Sequence, residues 1–423
     1  MENSNNNAVK KKKRPRKTFD PKLIAEKEAA KKSAGEKSKN AVKSTACPLY
    51  KKCGGCQLLN LTYAEQLNFK QVKCIRLLGK YCHVSEIIGM EKPFHYRNKV
   101  QAAFGTDSHG NMISGIYQSS SHRIVATDSC LTEDKKADEI IVTIRKLLKS
   151  FKLKSYNENT NQGFLRHVLV KRGFKSGQIM VVLVTGTAEF PKKRSFVNAL
   201  LKIYPEITTV IQNVNNKKTS LVLGNYSEIL FGSGKIEEKL GDFTFKISPK
   251  AFYQINPLQT EVLYNKVLEF AELDGSQTVI DAYCGTGTIG IFASPKAKNV
   301  IGVELNSDAV RDAKENAKLN NIENIRFFNA DAGEFMKEMA SESRKSDVVI
   351  MDPPRAGSSP EFLHSVVKLQ PEKVVYVSCN PETLARDLFF LTKNGYKVSK
   401  IQPVDMFPHT EHVETACLMS RIK

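Results

Sequence analysis

A chain of 423 residues and 47.3 kDa is too long for one ordinary core, and at roughly 150 residues per domain it should fold as two or three. Its 41% hydrophobic and 26% charged residues are those of a globular protein, and its longest apolar runs stop far short of the ~20 residues that cross a bilayer, so membrane, collagen-like and secreted disulfide-rich classes are excluded and the cytoplasm is expected. A net charge of +20 and a pI near 9.4 point to a polyanionic partner, most often nucleic acid.

Residues 1–46 hold 14 Lys and Arg against 5 Asp and Glu, a net of +9, with no hydrophobic periodicity. This stretch is predicted to be a disordered basic arm that contacts phosphates without sequence preference. The body keeps the remaining +11. At Cys47 the character changes. Cys47, Cys53 and Cys56 are spaced C-x5-C-x2-C, with Cys130 further on, and in a cytosolic chain such spacing argues for metal over disulfides. Spacing alone admits zinc or an iron–sulfur cluster, and Cys74 or Cys82 is an alternative fourth ligand to Cys130.

After a loosely amphipathic helical stretch (Tyr63, Leu67, Val72, Leu77, Leu78), short β-like runs follow at Val100–Phe104, Val168–Lys171, Ile179–Val184, Val210–Val214 and Ser220–Leu223. Two helical patterns interrupt them, Ala137–Phe151 and Lys193–Tyr204. Residues 47–244 are therefore expected to form an α+β region that carries the cysteines and binds RNA. From residue 245 to 423 strands and helices alternate regularly. Strands are expected at Thr278–Ala282, Asn299–Glu304, Ile325–Asn329, Asp347–Met351 and Lys373–Ser378, then a late pair near Val398–Pro403 and Thr415–Arg421. That is an α/β, Rossmann-like, doubly wound parallel sheet.

The first of these strands runs into Gly285-Thr286-Gly287-Thr288-Ile289-Gly290, and Glu304 closes the next strand about 20 residues on, where an acid accepts hydrogen bonds from ribose hydroxyls. A nicotinamide dinucleotide and S-adenosylmethionine both fit such a turn. Asp281 before the first glycine and Asp331 after the third strand suit S-adenosylmethionine better. The next two strands end in Asp352-Pro353-Pro354-Arg355 and Cys379-Asn380-Pro381. Asn380 and Pro381 form an N-cap and first helical residue, so Cys379 should stand before a helix N-terminus, where the dipole favours a thiolate nucleophile. The Phe407–Thr415 segment adds His409, His412 and Glu414 as proton-transfer groups, expected beside Cys379.

Taken in order, D-x-Y-C-G-x-G (Asp281–Gly287), D-P-P-R (Asp352–Arg355), S-C-N-P-x-T-x-A-R-D (Ser378–Asp387) and F-P-H-T-x-H-V-E (Phe407–Glu414) resemble the RNA 5-methyluridine methyltransferase family over roughly Cys47 to the end of the chain. The resemblance implies S-adenosylmethionine-dependent methylation of uracil carbon 5 in RNA, with Cys379 as nucleophile and Glu414 as the base that removes the carbon-5 proton. It implies Gln254, Tyr283, Gly285, Gly287, Glu304, Asp331 and Asp352 around the cofactor, and it calls for no protein partner. It further implies a [4Fe-4S] cluster on Cys47, Cys53, Cys56 and Cys130, as in the 23S ribosomal RNA branch; the transfer RNA branch, which methylates the T-loop uracil, typically lacks these cysteines. The C-x3-C-x2-C spacing of radical enzymes is not present. Cytosine carbon-5 methyltransferases place their nucleophile after Pro, whereas Ser378 precedes Cys379, and amino-group methyltransferases carry Asn-Pro-Pro-Tyr where this chain has Asp352–Arg355. A non-enzymatic iron–sulfur RNA-binding protein would have no use for the Cys379 and Glu414 pair.

Overall fold

The computed structural model describes residues 47–119 and 121–422. The basic arm at 1–46 lies outside the described residues. In chain order, α1 (Tyr50–Cys53) and α2 (Tyr63–Leu78) lead into β1 (Lys99–Thr106), β2 (Met112–Tyr117), β3 (Ile124–Ala126), α3 (Lys135–Ser150), β4 (Leu165–Arg172), β5 (Ile179–Thr185), α4 (Lys193–Ile203), β6 (Ile207–Val214) and β7 (Tyr226–Phe231). These strands form one sheet in the order β3-β2-β1-β4-β5-β6-β7, antiparallel except for the β5–β6 pair, which α4 connects. Its α3 and α4 face buries Ile140, Ile144, Leu148, Phe196 and Leu200 against Val168, Val170, Val181 and Leu183. The run Ser220–Leu223, expected as a strand, is loop: Asn215 Nδ2 binds the carbonyls of Leu221 and Val222, and the strand begins at Tyr226.

A hairpin of β8 (Ile236–Leu240) and β9 (Phe243–Ile247) and helix α5 (Pro257–Ala271) precede the second sheet. That sheet contains β10 (Thr278–Ala282), β11 (Asn299–Glu304), β12 (Ile325–Asn329), β13 (Val348–Met351), β14 (Lys373–Ser378), β15 (Tyr396–Val404) and β16 (Glu414–Arg421). The intervening helices are α6 (Thr288–Ala293), α7 (Ser307–Leu319), α8 (Ala332–Ser341), α9 (Pro360–Leu369) and α10 (Pro381–Lys393). The strand order is β12-β11-β10-β13-β14-β16-β15, with the first five parallel and β16 antiparallel to both neighbours. This is the doubly wound sheet with a late hairpin that the strand–helix alternation predicts. Its order reverses on either side of β10, where open α/β sheets bind ligands beyond the strands' carboxyl ends.

The two sheets share one core. Leu169, Met180, Val182 and Val184 of the first pack in the same cluster as Val279, Ile350, Val375 and Leu418 of the second. Among the described residues, no helix is long and apolar enough to cross a membrane.

Helix α2 carries a Thr62–Glu65 capping box, so its start is set locally. Its inner face buries an ion pair: Lys70 Nζ donates to Asp405 Oδ1 at 2.6 Å and to the Phe407 carbonyl at 3.0 Å, with both side chains fully buried. Tyr63 donates to the other Asp405 oxygen at 2.9 Å. Removing one member of a buried pair strands the other charge. We expect Asp405→Asn to cost about 3–5 kcal/mol of stability in urea unfolding, and the Lys70→Met, Asp405→Leu double variant to recover much of that loss. A single-variant cost below about 1 kcal/mol, the level of a surface pair, would show that the pair is not a keystone.

Candidate active site

A cavity of about 430 Å³ opens at the carboxyl ends of β10–β13. Six of the seven residues expected around a cofactor line it: Gln254, Tyr283, Gly285, Glu304, Asp331 and Asp352. Gly287 is not among the lining residues. At φ +80° its absent side chain makes room for the Phe327 ring, 2.7 Å from where a Cβ would stand. Its role is to let the turn close on β12.

Each acid is placed by the end of its strand. Glu304 accepts from the Gly285 N–H at 3.1 Å and the Asn306 N–H at 2.8 Å, which fixes the glycine turn to the tip of β11. Asp331 caps α8 through one oxygen, accepting from Gly333 and Glu334, and leaves its other oxygen free of that cap. Tyr283 adopts a left-handed conformation (φ 61°), and its ring packs 4.9 Å from Phe362. Beneath the turn, Asp281 accepts from the Gly290 N–H at 2.7 Å while its second oxygen is buried with no partner. Burial pushes Asp281 up to about 7, with the charges of Asp352 and Glu304 adding to the rise. Burial lifts Asp352 to about 7 as well.

The strand register explains the reactive pair. Ser378 of β14 faces Thr415 of β16, and continuing that antiparallel register one step brings Cys379 opposite Glu414. Asn380 caps α10 by accepting from the Glu382 N–H at 3.1 Å, with Pro381 in its first turn, as the motif predicts. The thiol is nevertheless not the thiolate expected at a helix N-terminus. Burial pushes Cys379 up to about 11, and Glu414 and then Asp352 raise it further than its own backbone N–H and Arg355 lower it. Helix-end stabilisation is modest and confined to the first turn, and here desolvation and two nearby carboxyls outweigh it. Glu414 is raised well above the carboxylate range by complete burial and by Asp352. Asp352, on the cavity wall, is thus the electrostatic link between cavity and thiol.

The remaining groups of the Phe407–Thr415 segment do other work. His409 is buried with both ring nitrogens engaged, Nδ1 with Gln66 Nε2 at 3.2 Å and Nε2 with the Pro93 carbonyl at 2.8 Å, and Phe94 stacks on its ring. It pins the loop to α2, with both ring nitrogens already engaged. His412 is half-buried and lowered by burial, then by Arg355. Motif reasoning missed Phe252, Tyr253, Tyr264, Thr288 and Leu305 on the cavity wall. Of these, Tyr264 lies one helical turn from Thr260 on α5 and hydrogen bonds Thr288 at 3.0 Å, a placement that periodicity shows only as a core position.

The four motif cysteines carry free thiols, each half-buried. Cys56 is pushed up to about 12, chiefly by burial and then by Cys130, with Cys53 and Cys47 adding to the rise and Arg97 opposing it. Cys47, Cys53 and Cys130 therefore each lie within range of the Cys56 charge. Cys74 is buried in the apolar core under α2 and Cys82 lies near Cys417, so neither replaces Cys130 in this group. Among the described residues, no group of three or more His, Cys, Asp and Glu side chains is already set to hold a metal ion.

A nucleoside-sized cavity at the switch point of a doubly wound sheet, beside a strand-end thiol faced by a buried carboxyl, defines a group-transfer enzyme of the nucleoside-cofactor class. Residues 62–422 match the model of the tRNA (uracil-5-)-methyltransferase family, and the chain belongs to that family. An uncharacterized RNA methyltransferase of Clostridium tetani is 47% identical over 378 residues, 88% of this chain and 82% of its own. Another, of Clostridium acetobutylicum, is 45% identical over 89% of this chain and 83% of its own. The crystal structure of the tRNA (uracil-54, C5)-methyltransferase of Pyrococcus abyssi, in complex with S-adenosyl-L-homocysteine, is similar at a TM-score of 0.73 and 31% identity, covering 88% of this chain and 86% of that one.

The electrostatics give a measurable signature. Alkylation of Cys379 by iodoacetamide, followed on its own peptide by mass spectrometry, should be slow at pH 7.5 and rise toward pH 11. Glu414→Gln removes the charge that opposes the thiolate, so the profile should move to lower pH and the rate at pH 9 should increase several-fold. An unchanged profile would mean that Glu414 does not face the thiol.

Proposed function

We propose that this protein uses S-adenosylmethionine to methylate carbon 5 of a specific uridine in 23S ribosomal RNA, in the cytoplasm. The observation that carries the reaction type is the pairing of Cys379 with Glu414 next to the cavity wall formed by Asp352. Gln254, Tyr283, Gly285, Glu304, Asp331 and Asp352 would hold the cofactor, which when bound supplies an electrophilic methyl group on a sulfonium. The Pyrococcus abyssi protein is named for the same bond formation and carries the demethylated product of that cofactor, which supports the cofactor assignment.

Carbon 5 of uracil is a poor nucleophile. The Cys379 thiol gives up its proton to solvent as its sulfur bonds to carbon 6, which places an electron pair on the ring as an enolate, and carbon 5 can then take the methyl group. The proton left on carbon 5 must be removed so that the carbon–sulfur bond can break and the ring regain its double bond. Glu414 is the base for that step. Two facing anions are expensive in a buried site, so thiolate and carboxylate do not coexist readily there. Once sulfur is bonded to carbon its charge is gone, and Glu414 can ionise as the step requires. The target base must leave its stack to reach a site this enclosed.

The four cysteines are the donor set of a [4Fe-4S] cluster: all four are free thiols, and Cys56 feels the charges of Cys130, Cys53 and Cys47, although among the described residues no three of these side chains are set to hold a metal ion. It is this cysteine set that favours ribosomal RNA. The transfer RNA reading is favoured by the family description and by the uracil-54 enzyme of Pyrococcus abyssi.

Cys379→Ala should abolish methyl transfer and capture of 5-fluorouracil RNA, and leave cofactor binding by calorimetry largely intact. Glu414→Gln should instead accumulate a denaturant-resistant protein–RNA adduct, visible as a shifted band. Normal turnover by either variant would remove the assigned roles. Nucleoside mapping of 23S and transfer RNA after reaction decides the substrate, and methyl groups found only in transfer RNA would end the ribosomal assignment.

Protein purified without oxygen should contain about four irons, falling sharply when Cys56 or Cys130 becomes Ser. Stoichiometric zinc without iron would replace the cluster reading.

A further inference from the structure

The cavity and the reactive pair occupy the second sheet. The first sheet carries a separate groove of about 830 Å³ between the β1–β2 hairpin, the end of α3 and the segment 152–163. Five cations line it: Arg145, Lys146, Lys149, Lys152 and Lys154. Among the described residues that line it there is no acid. The other polar groups on its walls are amides and hydroxyls, such as Asn111 and Thr160. Arg145 is already committed to Asp128 at 2.8 Å and Ser114 at 3.0 Å. The four lysines are exposed and enter no ion pair among the described residues.

Four unpaired cations in one concave surface repel one another, so the free protein gains nothing from their proximity. A polyanion threaded through the groove relieves that repulsion and releases its own counterions. The amides and hydroxyls are the additional donors that phosphate oxygens accept from. A point-like anion would meet only one or two of these lysines at a time, whereas a phosphodiester chain presents a charge to each.

The groove and the cavity meet opposite ends of β1. At one end of β1, the Asn98 side chain donates to the Gln254 carbonyl on the cavity side, and at the other end Thr106 lines the groove. Eight steps of extended chain separate them, about 27 Å.

We propose that this groove is a second RNA-docking surface, which holds the phosphate backbone of the substrate at the opposite end of β1 from the cavity. The proposal rests on the RNA substrate of the reading above and adds where, away from the reactive pair, that RNA is held. Because phosphate contacts position without reading sequence, the groove measures the shape and reach of the folded RNA and leaves the choice of base to the active site.

The test uses the full chain and a Lys146→Gln, Lys149→Gln, Lys152→Gln, Lys154→Gln variant; all four side chains are exposed, so folding should be unaffected. Filter binding with bulk ribosomal RNA and bulk transfer RNA is measured across a salt series. The variant should bind the substrate RNA roughly tenfold more weakly at 0.15 M salt, with a salt slope shallower by about 2–3. Methylation at saturating RNA and cofactor binding should stay as in the parent. Unchanged affinity and slope would overturn the proposal, and so would polyaspartate that binds the parent as tightly as RNA does, since that would point to an acidic protein partner. If the parent methylates no RNA while the variant still loses affinity and slope, the groove stands and the assigned reaction falls.

Discussion

The reactive pair depends on an ion pair that takes no part in the chemistry. Glu414 opens β16, so its position is inherited from the loop at residues 405–413 that brings the chain back from β15. Irregular loops are ordinarily the mobile, solvated parts of a fold. This one is buried because α2 supplies Lys70 to Asp405 and to the Phe407 carbonyl, and Gln66 to both the backbone and the ring of His409. Tyr96 donates to the Pro408 carbonyl, and Asn256 and Gln259 take the carbonyls of Met406 and Asp405. Each of the five carbonyls from Asp405 to His409 accepts from a segment over a hundred residues distant in sequence. A segment N-terminal to both sheets therefore sets the geometry of a base near the end of the chain, and the cysteine-bearing region and the reactive site are mechanically one body.

This explains what could be read from the sequence and what could not. The strands β10, β11, β13 and β14 were legible because each is a short, mostly apolar run that gives way near its end to a residue with chemistry: Asp281, Glu304, Asp352, Cys379. Burial on both faces removes polar alternation, and the strand end is where a polar residue becomes affordable. Strand β7 was misplaced because it is an exposed edge, with Tyr226, Ile229 and Phe231 open to solvent, so no alternation marks it against the loop before it. The loop at residues 405–413 was legible as a set of titratable groups but not as a set of roles. His409 and Glu414 look equally suited to proton transfer in the sequence. Only the partners of His409, contributed by α2 and by Pro93, remove it from the chemistry.

The thiol state of Cys379 teaches a similar lesson about magnitude. Local sequence identifies a capped helix and its dipole correctly, and the dipole does favour the anion. What it does not show is the company that the long-range β14–β16 pairing brings, namely a buried carboxyl opposite the sulfur and a second one on the cavity wall. Desolvation comes first, and the two like charges add to it against the helix end. The result is a thiol whose surroundings oppose its ionisation.

Charge is divided over this molecule by depth. Its surface is basic enough to attract a polyanion, while the interior beside the cavity holds Asp281, Asp352 and Glu414, all raised toward the neutral form by burial. Were these carboxyls ionised and exposed, they would repel an approaching phosphate chain and an electron-rich ring alike. Kept dry, they add no long-range field to oppose the lysines outside. A cationic occupant of the cavity would lower the cost of ionising Asp352 and then, through the loss of a proton there, change the balance felt by Cys379 and Glu414.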